Sequence, residues 1–239
     1  MIVLSREAFD ALEFDAACTG DHRAAAEEMT RLADTGTQSP TMPRSEAYVR
    51  AGEQWLLADE PAAAASGFMR ALEDGGHSPT DPRVPLARSL FMLGRTEDAD
   101  ALIAALGREA PRDPRICDQV AELLVELADL PGALAWATAG VELSLGQSPG
   151  PVAPGEPGAA NGSAVGYPDS VPRPVGAADG ATPPPPGSEE AELQLLLTLR
   201  FRIRNDLGLP EDDYDRLLDQ QSLDRPPRPH SRDRPPRPQ

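Results

Sequence analysis

The sequence predicts an all-α protein: an array of about four helical hairpins, followed by a linker and a C-terminal helix that caps the array. Over residues 1–147, good helix formers dominate and apolar residues recur three and four positions apart, as on the buried face of a helix. Runs of alternating β-branched residues, which would indicate strands, do not occur in this region. Short turns followed by an Ala-rich stretch recur along it, which indicates a repeated supersecondary unit.

The four turns share one form, in which a small residue and a polar pair precede an Ala-rich helix. They begin at Gly20, Ala58, Gly94 and Ala128, so that successive starts are 38, 36 and 34 residues apart. Each turn separates two helical stretches, and the pattern therefore predicts a repeat domain over residues 1–147. Its predicted units cover residues 5–34, 45–78, 80–111 and 113–145.

Three of the predicted helices carry start signals. Asp81-Pro82 and Asp113-Pro114 each place a capping carboxylate before a proline, which suits the first turn because no amide hydrogen is needed there. Thr96 precedes two acidic residues, so we expect Thr96 to cap a helix whose first turn is negatively charged.

The composition changes after the repeat domain. Residues 148–187 contain 11 Pro and 8 Gly, and no Leu, Ile, Met, Phe or Trp. Such a segment buries too little apolar surface to offset the entropy lost on ordering, so we predict a disordered linker. Residues 223–239 form an Arg/Pro-rich tail of net charge +3, which we also predict to be disordered.

Residues 188–222 return to helical composition. We expect Ser188 to cap a helix and Gly208 to terminate it in the left-handed conformation, with a short second helix through about Gln220. The first helix carries an apolar stripe of Leu193, Leu196, Leu199, Ile203 and Leu207. An exposed stripe would be sticky, so we expect it to pack on Trp136 and its neighbours in the last repeat.

Charge and composition exclude several classes of protein. The net charge is −17, because 39 acidic residues outnumber 22 arginines and the chain has no lysine, and this disfavours a nucleic-acid partner. No apolar run approaches the ~18 residues of a membrane span, and the first residues lack the basic and apolar regions of a signal peptide. We therefore expect a cytoplasmic protein that binds no membrane, with Cys18 and Cys117 as reduced, small core residues.

Small and large residues recur at fixed positions of the predicted helix pairs. The second unit has Tyr48, Gly52 and Trp55 in its first helix and Ala64, Phe68 and Ala71 in its second. The fourth unit has Val120, Ala121 and Leu124, then Ala133, Ala137 and Gly140. Over residues 5–144 this pattern resembles the tetratricopeptide repeat (TPR) family. The resemblance implies a right-handed superhelix whose concave face, lined by the first helices, binds a peptide segment of a partner protein.

The resemblance also implies which residues face that groove. In unit two they are Glu46, Val49, Glu53, Leu56 and Leu57; in unit three Asp81, Val84, Arg88, Phe91 and Met92; in unit four Arg115, Asp118, Glu122, Val125 and Glu126. Six of these are acidic and two are Arg, which suits an extended basic or mixed peptide anchored on Phe91 and Met92. The same composition also suits a solvated face whose acids keep the chain soluble. The family's clamp for a terminal carboxylate is not expected, because the chain has no Lys and the repeats contain no Asn.

The tail carries Asp-Arg-Pro-Pro-Arg-Pro twice, at residues 224–229 and 233–238, a composition typical of polyproline II. Three interpretations stay open. The tail could make this chain an adaptor recognised by a polyproline-reading domain, with the repeats as an inert handle. It could instead lie in the acidic groove of its own chain, or it could be a solubilising end.

Catalytic and metal-binding patterns are weak. His22, His77 and His230 fall in a turn, a loop and the tail, and neither a nucleophile elbow nor a phosphate-binding loop occurs. The acids of residues 211–215 lack the spaced ligands and the glycine of a calcium loop. We therefore predict no catalytic residue, cofactor or metal, and keep a spatially assembled hydrolase site only as a residual alternative.

Overall fold

Ten α-helices make up the regular secondary structure of the described residues, which in the computed structural model are 3–75, 80–109, 113–149, 152 and 189–223. These residues contain no strand beyond two isolated bridges, Val3 with Thr37 and Ser39 with Met42. The prediction of an all-α fold is thus confirmed for this part of the chain. The helices are α1 (Arg6–Thr19), α2 (His22–Thr35), α3 (Arg44–Leu57), α4 (Pro61–Asp74), α5 (Arg83–Met92), α6 (Thr96–Arg108), α7 (Pro114–Glu126), α8 (Leu130–Ser144), α9 (Glu189–Asp206) and α10 (Asp213–Leu223).

A side chain caps α1, α2, α7 and α8, whereas the cap residues of α3, α4, α5 and α6 form no side-chain capping bond. Asp113 caps α7 by accepting the amide of Arg115 at 3.0 Å, and Asp81 accepts the amide of Arg83 at 3.0 Å at the start of α5. The expectation for Thr96 is wrong, because Thr96 is already the first residue of α6 and Arg95 occupies the cap position without a side-chain bond. The amide of Arg95 donates to the carbonyl of Leu90 in α5, so α6 begins one residue earlier than the threonine pattern predicts.

The turn that closes the first helix of a pair has the same backbone in three successive pairs. Its left-handed residue is Asp59, Gly94 and Ala128, with φ of 57°, 71° and 61°. In each turn the following amide donates at 2.9 Å to a carbonyl five residues earlier: Glu60 to Trp55, Arg95 to Leu90 and Asp129 to Leu124. Asp59 and not Ala58 is therefore the structural equivalent of Gly94, which corrects the sequence alignment of the second turn by one residue.

Small residues let the helices of a pair approach closely. A Cβ on Gly52 of α3 would lie 2.6 Å from the Phe68 ring of α4, so this position has room only for glycine. Phe9, Met29 and Phe68 are fully buried. Since α2 packs on α3 and α4 on α5, neighbouring pairs share one apolar core.

The helices that follow the linker form a fifth pair. α9 packs on α8 and α7, and α10 packs on α9. Leu196 of α9 lies over Gly140 of α8, where an added Cβ would come within 2.7 Å of its Cδ2 atom. Gly208 follows α9 with a φ of 67°, in the left-handed conformation that the sequence predicts there. Trp136 of α8 is buried in the same core cluster as Leu199 and Ile203 of α9, and its Cζ2 atom lies 3.5 Å from where a Cβ of Gly107 in α6 would be.

Several sequence predictions fall outside the described residues: the linker except for its first residues and Val152, the cap at Ser188, and the tail from residue 224. Buried Val152 donates its amide to the Gly107 carbonyl at 3.2 Å, so this point of the chain contacts the end of α6. Cys117 is buried, but the expectation of a core position for Cys18 is wrong because Cys18 is exposed. The described helices include none with the length and hydropathy of a membrane span.

Candidate functional site

A cleft of about 470 Å³ lies between α3, α5 and α7. Its apolar lining comes from Leu56, Leu57, Val84, Pro85 and Met92. Its polar and charged lining comes from Glu53, Thr80, Arg88, Gln119 and Glu122. The cleft therefore combines an apolar centre with carboxylates contributed by its two outer helices.

The register of the turns explains why these residues share one face. Equivalent positions are 35 residues apart between α3 and α5 and 34 residues apart between α5 and α7, as measured from Asp59, Gly94 and Ala128. Glu53, Arg88 and Glu122 are equivalent under these spacings, and so are Leu57, Met92 and Glu126. The first helix of each pair thus presents the same positions to the same cleft.

The structure separates the predicted groove residues into two groups. Those that line the cleft are Glu53, Leu56, Leu57, Val84, Arg88, Met92 and Glu122. The others do not line it. Val49 and Phe91 pack in or against the apolar core, and Val125 and Asp118 are half-buried beside the cleft. The remaining four are held in ion pairs: Glu46 with Arg6, Asp81 with Arg83, Arg115 with Asp113, and Glu126 with Arg88. The ion pairs are each 2.8 Å long.

Sequence reasoning missed Thr80, Pro85 and Gln119. Pro85 and Gln119 are equivalent to Arg50 of α3, whose guanidinium instead reaches α1 and pairs with Asp10 at 2.5 Å and Glu13 at 2.6 Å. Extending each predicted stripe by one residue along the repeat register would have included Pro85 and Gln119. Their position next to a predicted groove residue is the signal that was available.

Two large apolar side chains that line the cleft are exposed. Leu57 is 62 % exposed and Met92 is 49 % exposed. Phe14 of α1 and Leu195 of α9, which are 74 % and 62 % exposed, are equivalent in register to Glu53 and Glu46 of α3. Neither Phe14 nor Leu195 lines the cleft, so the most exposed apolar side chains of the cleft itself are Leu57 and Met92.

Carboxylates in and beside the cleft are not held in ion pairs. Among the described residues, Glu53, Asp118 and Glu122 form no ion pair, whereas Arg88 is engaged by Glu126. Burial, together with the nearby Glu13, raises the pKa of Glu53 to about 7. Burial, together with Glu122 and Glu192, raises the pKa of Asp118 to about 6. A cation placed here would find carboxylates that no arginine of the described residues holds in an ion pair, although Arg50 lies near enough to Glu53 to lower its pKa in part.

A second pocket of about 490 Å³ lies where α7 begins, α8 ends and α9 begins. Its charged lining is Asp113, Arg115, Glu189 and Glu192. Arg115 binds Asp113 at 2.8 Å and lies 3.9 Å from Glu192, so it only partly offsets the acids. This pocket extends the negative surface from α7 to α9.

No histidine of the described residues lines the cleft. His22 is hydrogen-bonded through Nδ1 to Gln54 Oε1 at 2.9 Å, and His77 and His230 are outside the described residues. Within the described ranges, no three His, Cys, Asp or Glu side chains are grouped so that they could hold a metal ion. The cleft itself offers apolar contact and carboxylate acceptors.

Comparison of the chain with family models, with curated proteins and with solved structures returned no match.

Proposed function

We propose that this chain is a non-catalytic, cytoplasmic scaffold: a TPR-like right-handed superhelix that binds a peptide segment of a partner protein on its concave face. The cleft between α3, α5 and α7 is the binding site. Three features support the repeat assignment: turns 35 and 34 residues apart, close packing through Gly52 and its neighbours, and a core shared between pairs.

One observation carries the proposed function: half-exposed Leu57 and Met92 lie between carboxylates that have no ion pair among the described residues. Exposed apolar side chains in a cleft gain free energy when a ligand covers them, at about 25 cal/mol per Å² of apolar surface. Glu53 and Glu122 would then bind a cationic side chain and fix the orientation of the ligand. The favoured ligand is a peptide with a large apolar residue flanked by Arg or Lys.

A peptide-display selection tests this proposal. The full chain is used to select binders from a random peptide library, and each binder is then measured against Met92→Glu and against the matched control Met69→Glu. Met69 is 43 % exposed on α4, so its substitution introduces the same charge at a similarly exposed methionine away from the cleft. We expect apolar-basic peptides whose binding is lost in Met92→Glu and kept in Met69→Glu.

Peptides that bind both variants as well as the parent chain would place recognition outside the cleft and contradict the proposal. Far-UV circular dichroism of both variants separates this result from a loss of folding, since both substituted side chains are exposed and neither substitution removes a core contact.

A further inference from the structure

An acidic strip joins the start of α9 to the cleft between α3, α5 and α7. We define it by Glu189, Glu192, Asp118 and Glu122. Glu189 and Glu192 line the second pocket, and Glu122 lines the cleft. Asp118 lies one turn before Glu122 on α7. Arg115, one turn before Asp118, lies 3.9 Å from Glu192 of α9, so Asp118 lies between the two ends of the strip. Carboxylates therefore continue from α9 across α7 into the cleft.

The described chain ends beside one end of this strip. α10 packs through Tyr214, Leu217 and Leu218 on a cluster that includes Leu193 of α9. Tyr214 and Asp215, at the start of α10, contact Arg200 and Arg204 in the second half of α9, so α10 runs back along α9 and its last turns lie next to the first turns of α9. Leu223, where the described part of the chain ends, therefore lies toward the start of α9, which carries Glu189 and Glu192.

The residues after Leu223 have the opposite charge. Residues 224–239 carry five Arg and two Asp, and four of the Arg belong to the two Asp-Arg-Pro-Pro-Arg-Pro copies. In polyproline II, residues three apart lie on one face about 9 Å apart. Neighbouring packed helices have a similar spacing of ~8–10 Å, so the two Arg of one copy match Glu192 of α9 and Asp118 of the adjacent α7.

We propose that residues 224–239 bind in cis along the acidic strip and place one Asp-Arg-Pro-Pro-Arg-Pro copy at the cleft between α3, α5 and α7. The arginines pair with Glu192, Asp118 and Glu122, and proline rings cover Leu57 and Met92. The reach is sufficient, because 16 residues extend to about 50 Å whereas two helix spacings from α9 to α5 amount to about 20 Å. A partner peptide must then displace the tail, so the tail sets the threshold for partner binding.

This inference goes beyond the proposed function because it requires only the chain itself. Tail docking can be measured without any partner, and peptide selection can succeed even if the tail never enters the cleft. Failure of one experiment is therefore distinct from failure of the other.

Paramagnetic relaxation in the full chain tests the proposal. Exposed Cys18 is changed to Ser, and Ser231→Cys in the tail carries a nitroxide, while buried Cys117 stays unlabelled. Methyl signals of ¹³C-labelled methionines are compared before and after reduction of the nitroxide. We expect loss of the Met92 signal and retention of the Met69 signal, since both are similarly exposed but only Met92 lines the cleft.

Charge variants show whether the acidic strip is responsible for docking of the tail. Glu122→Arg should restore the Met92 signal, whereas Glu27→Arg, the same change at an exposed position of α2, should not. Changing Arg225, Arg228, Arg234 and Arg237 to Gln should also restore it while leaving the described residues unaltered. High salt should act in the same direction because it screens exposed charges.

Two results would overturn the proposal. The Met92 signal could be unaffected by the nitroxide in the parent chain. Alternatively, broadening could occur equally when nitroxide and ¹³C labels are on separate chains and mixed, which would assign the cleft to the tail of a second copy.

Discussion

Asp118 and Asp212 start from the same ordinary pKa of 3.8 and are moved in opposite directions by their surroundings. Beside the cleft, burial and neighbouring acids raise the pKa of Asp118 to about 6. At the α9–α10 junction, hydrogen bonds from Arg200 lower the pKa of Asp212 to about 2. The two regions have similar acidic composition but opposite electrostatic states.

At the α9–α10 junction, arginines and aspartates are paired with one another. Arg200 and Asp215 are 5 % and 6 % exposed, and Arg200 also binds Asp212 at 2.6 Å while Arg204 binds Asp215 at 3.0 Å. The cleft leaves Glu53, by contrast, without an ion pair among the described residues. Unpaired charge and exposed apolar surface both cost stability, and their joint occurrence in the cleft supports the proposed binding role, whereas the charges of the junction are paired with one another.

The largest expected effect is at the junction. Arg200→Met removes one of the two guanidinium groups that face Asp212 and buried Asp215, and Arg204 keeps contact with both carboxylates, so we expect the free energy of unfolding to fall by about 3 kcal/mol. Urea unfolding measures this. Arg202→Met is the matched control on the same helix, because exposed Arg202 forms no ion pair among the described residues and its loss should cost less than about 0.5 kcal/mol. Equal losses in both variants would contradict the distinction between the regions.

In the cleft we expect a substitution of Glu53 to raise the free energy of unfolding, whereas at the junction the loss of Arg200 lowers it. The pKa of Glu53 rises from 4.5 to about 7 on folding, so the folded chain binds the proton more tightly and stability falls as the pH rises between these values. Glu53→Gln should therefore raise the free energy of unfolding by about 2 kcal/mol near pH 8, after allowance for the partly open cleft, and by almost nothing near pH 4.

Urea unfolding at both pH values checks this prediction, with Glu122→Gln as the control that removes an exposed carboxylate from the same cleft. A gain that is the same near pH 4 and pH 8 would show that ionisation of Glu53 is not its cause.

A substitution with a smaller expected effect on stability tests whether α9 docks on α8 through the packing of apolar side chains. Gly140→Ala places a Cβ within 2.7 Å of Leu196 and 2.9 Å of Cys117, and this clash outweighs the better helix propensity of Ala, for a net loss of about 1 kcal/mol. The double variant with Leu196→Ala should lose less than the sum of the single losses, because the smaller side chain makes room. Strict additivity in thermal or urea unfolding would mean that the two residues are not in contact.

Local chemistry made much of the fold predictable. Apolar spacing and the Asp-Pro starts indicate helices because backbone hydrogen bonding and capping act within a few residues. The failures were also local: Thr96 is not a cap because Arg95 completes the preceding turn, and Asp59 rather than Ala58 takes the left-handed conformation. Such one-residue shifts depend on which amide reaches which carbonyl, and side-chain patterns do not specify this.

The candidate site was only partly predictable. The repeat register correctly brings Glu53, Met92 and Glu122 to one cleft, but it assigns the same role to Glu46, whose carboxylate binds Arg6 from a helix 40 residues earlier. No pattern within a single repeat distinguishes the paired acid from the unpaired ones, because the partner comes from another unit.

The order of helices and turns, the small residues between paired helices and the spacing of the groove positions were determined by the sequence itself, since each depends on neighbours along the chain. Which acids are neutralised and which stay available was decided only by tertiary structure. The physical reason is that Coulomb energy and desolvation depend on distance through space and on burial, and these are set when separate helices meet.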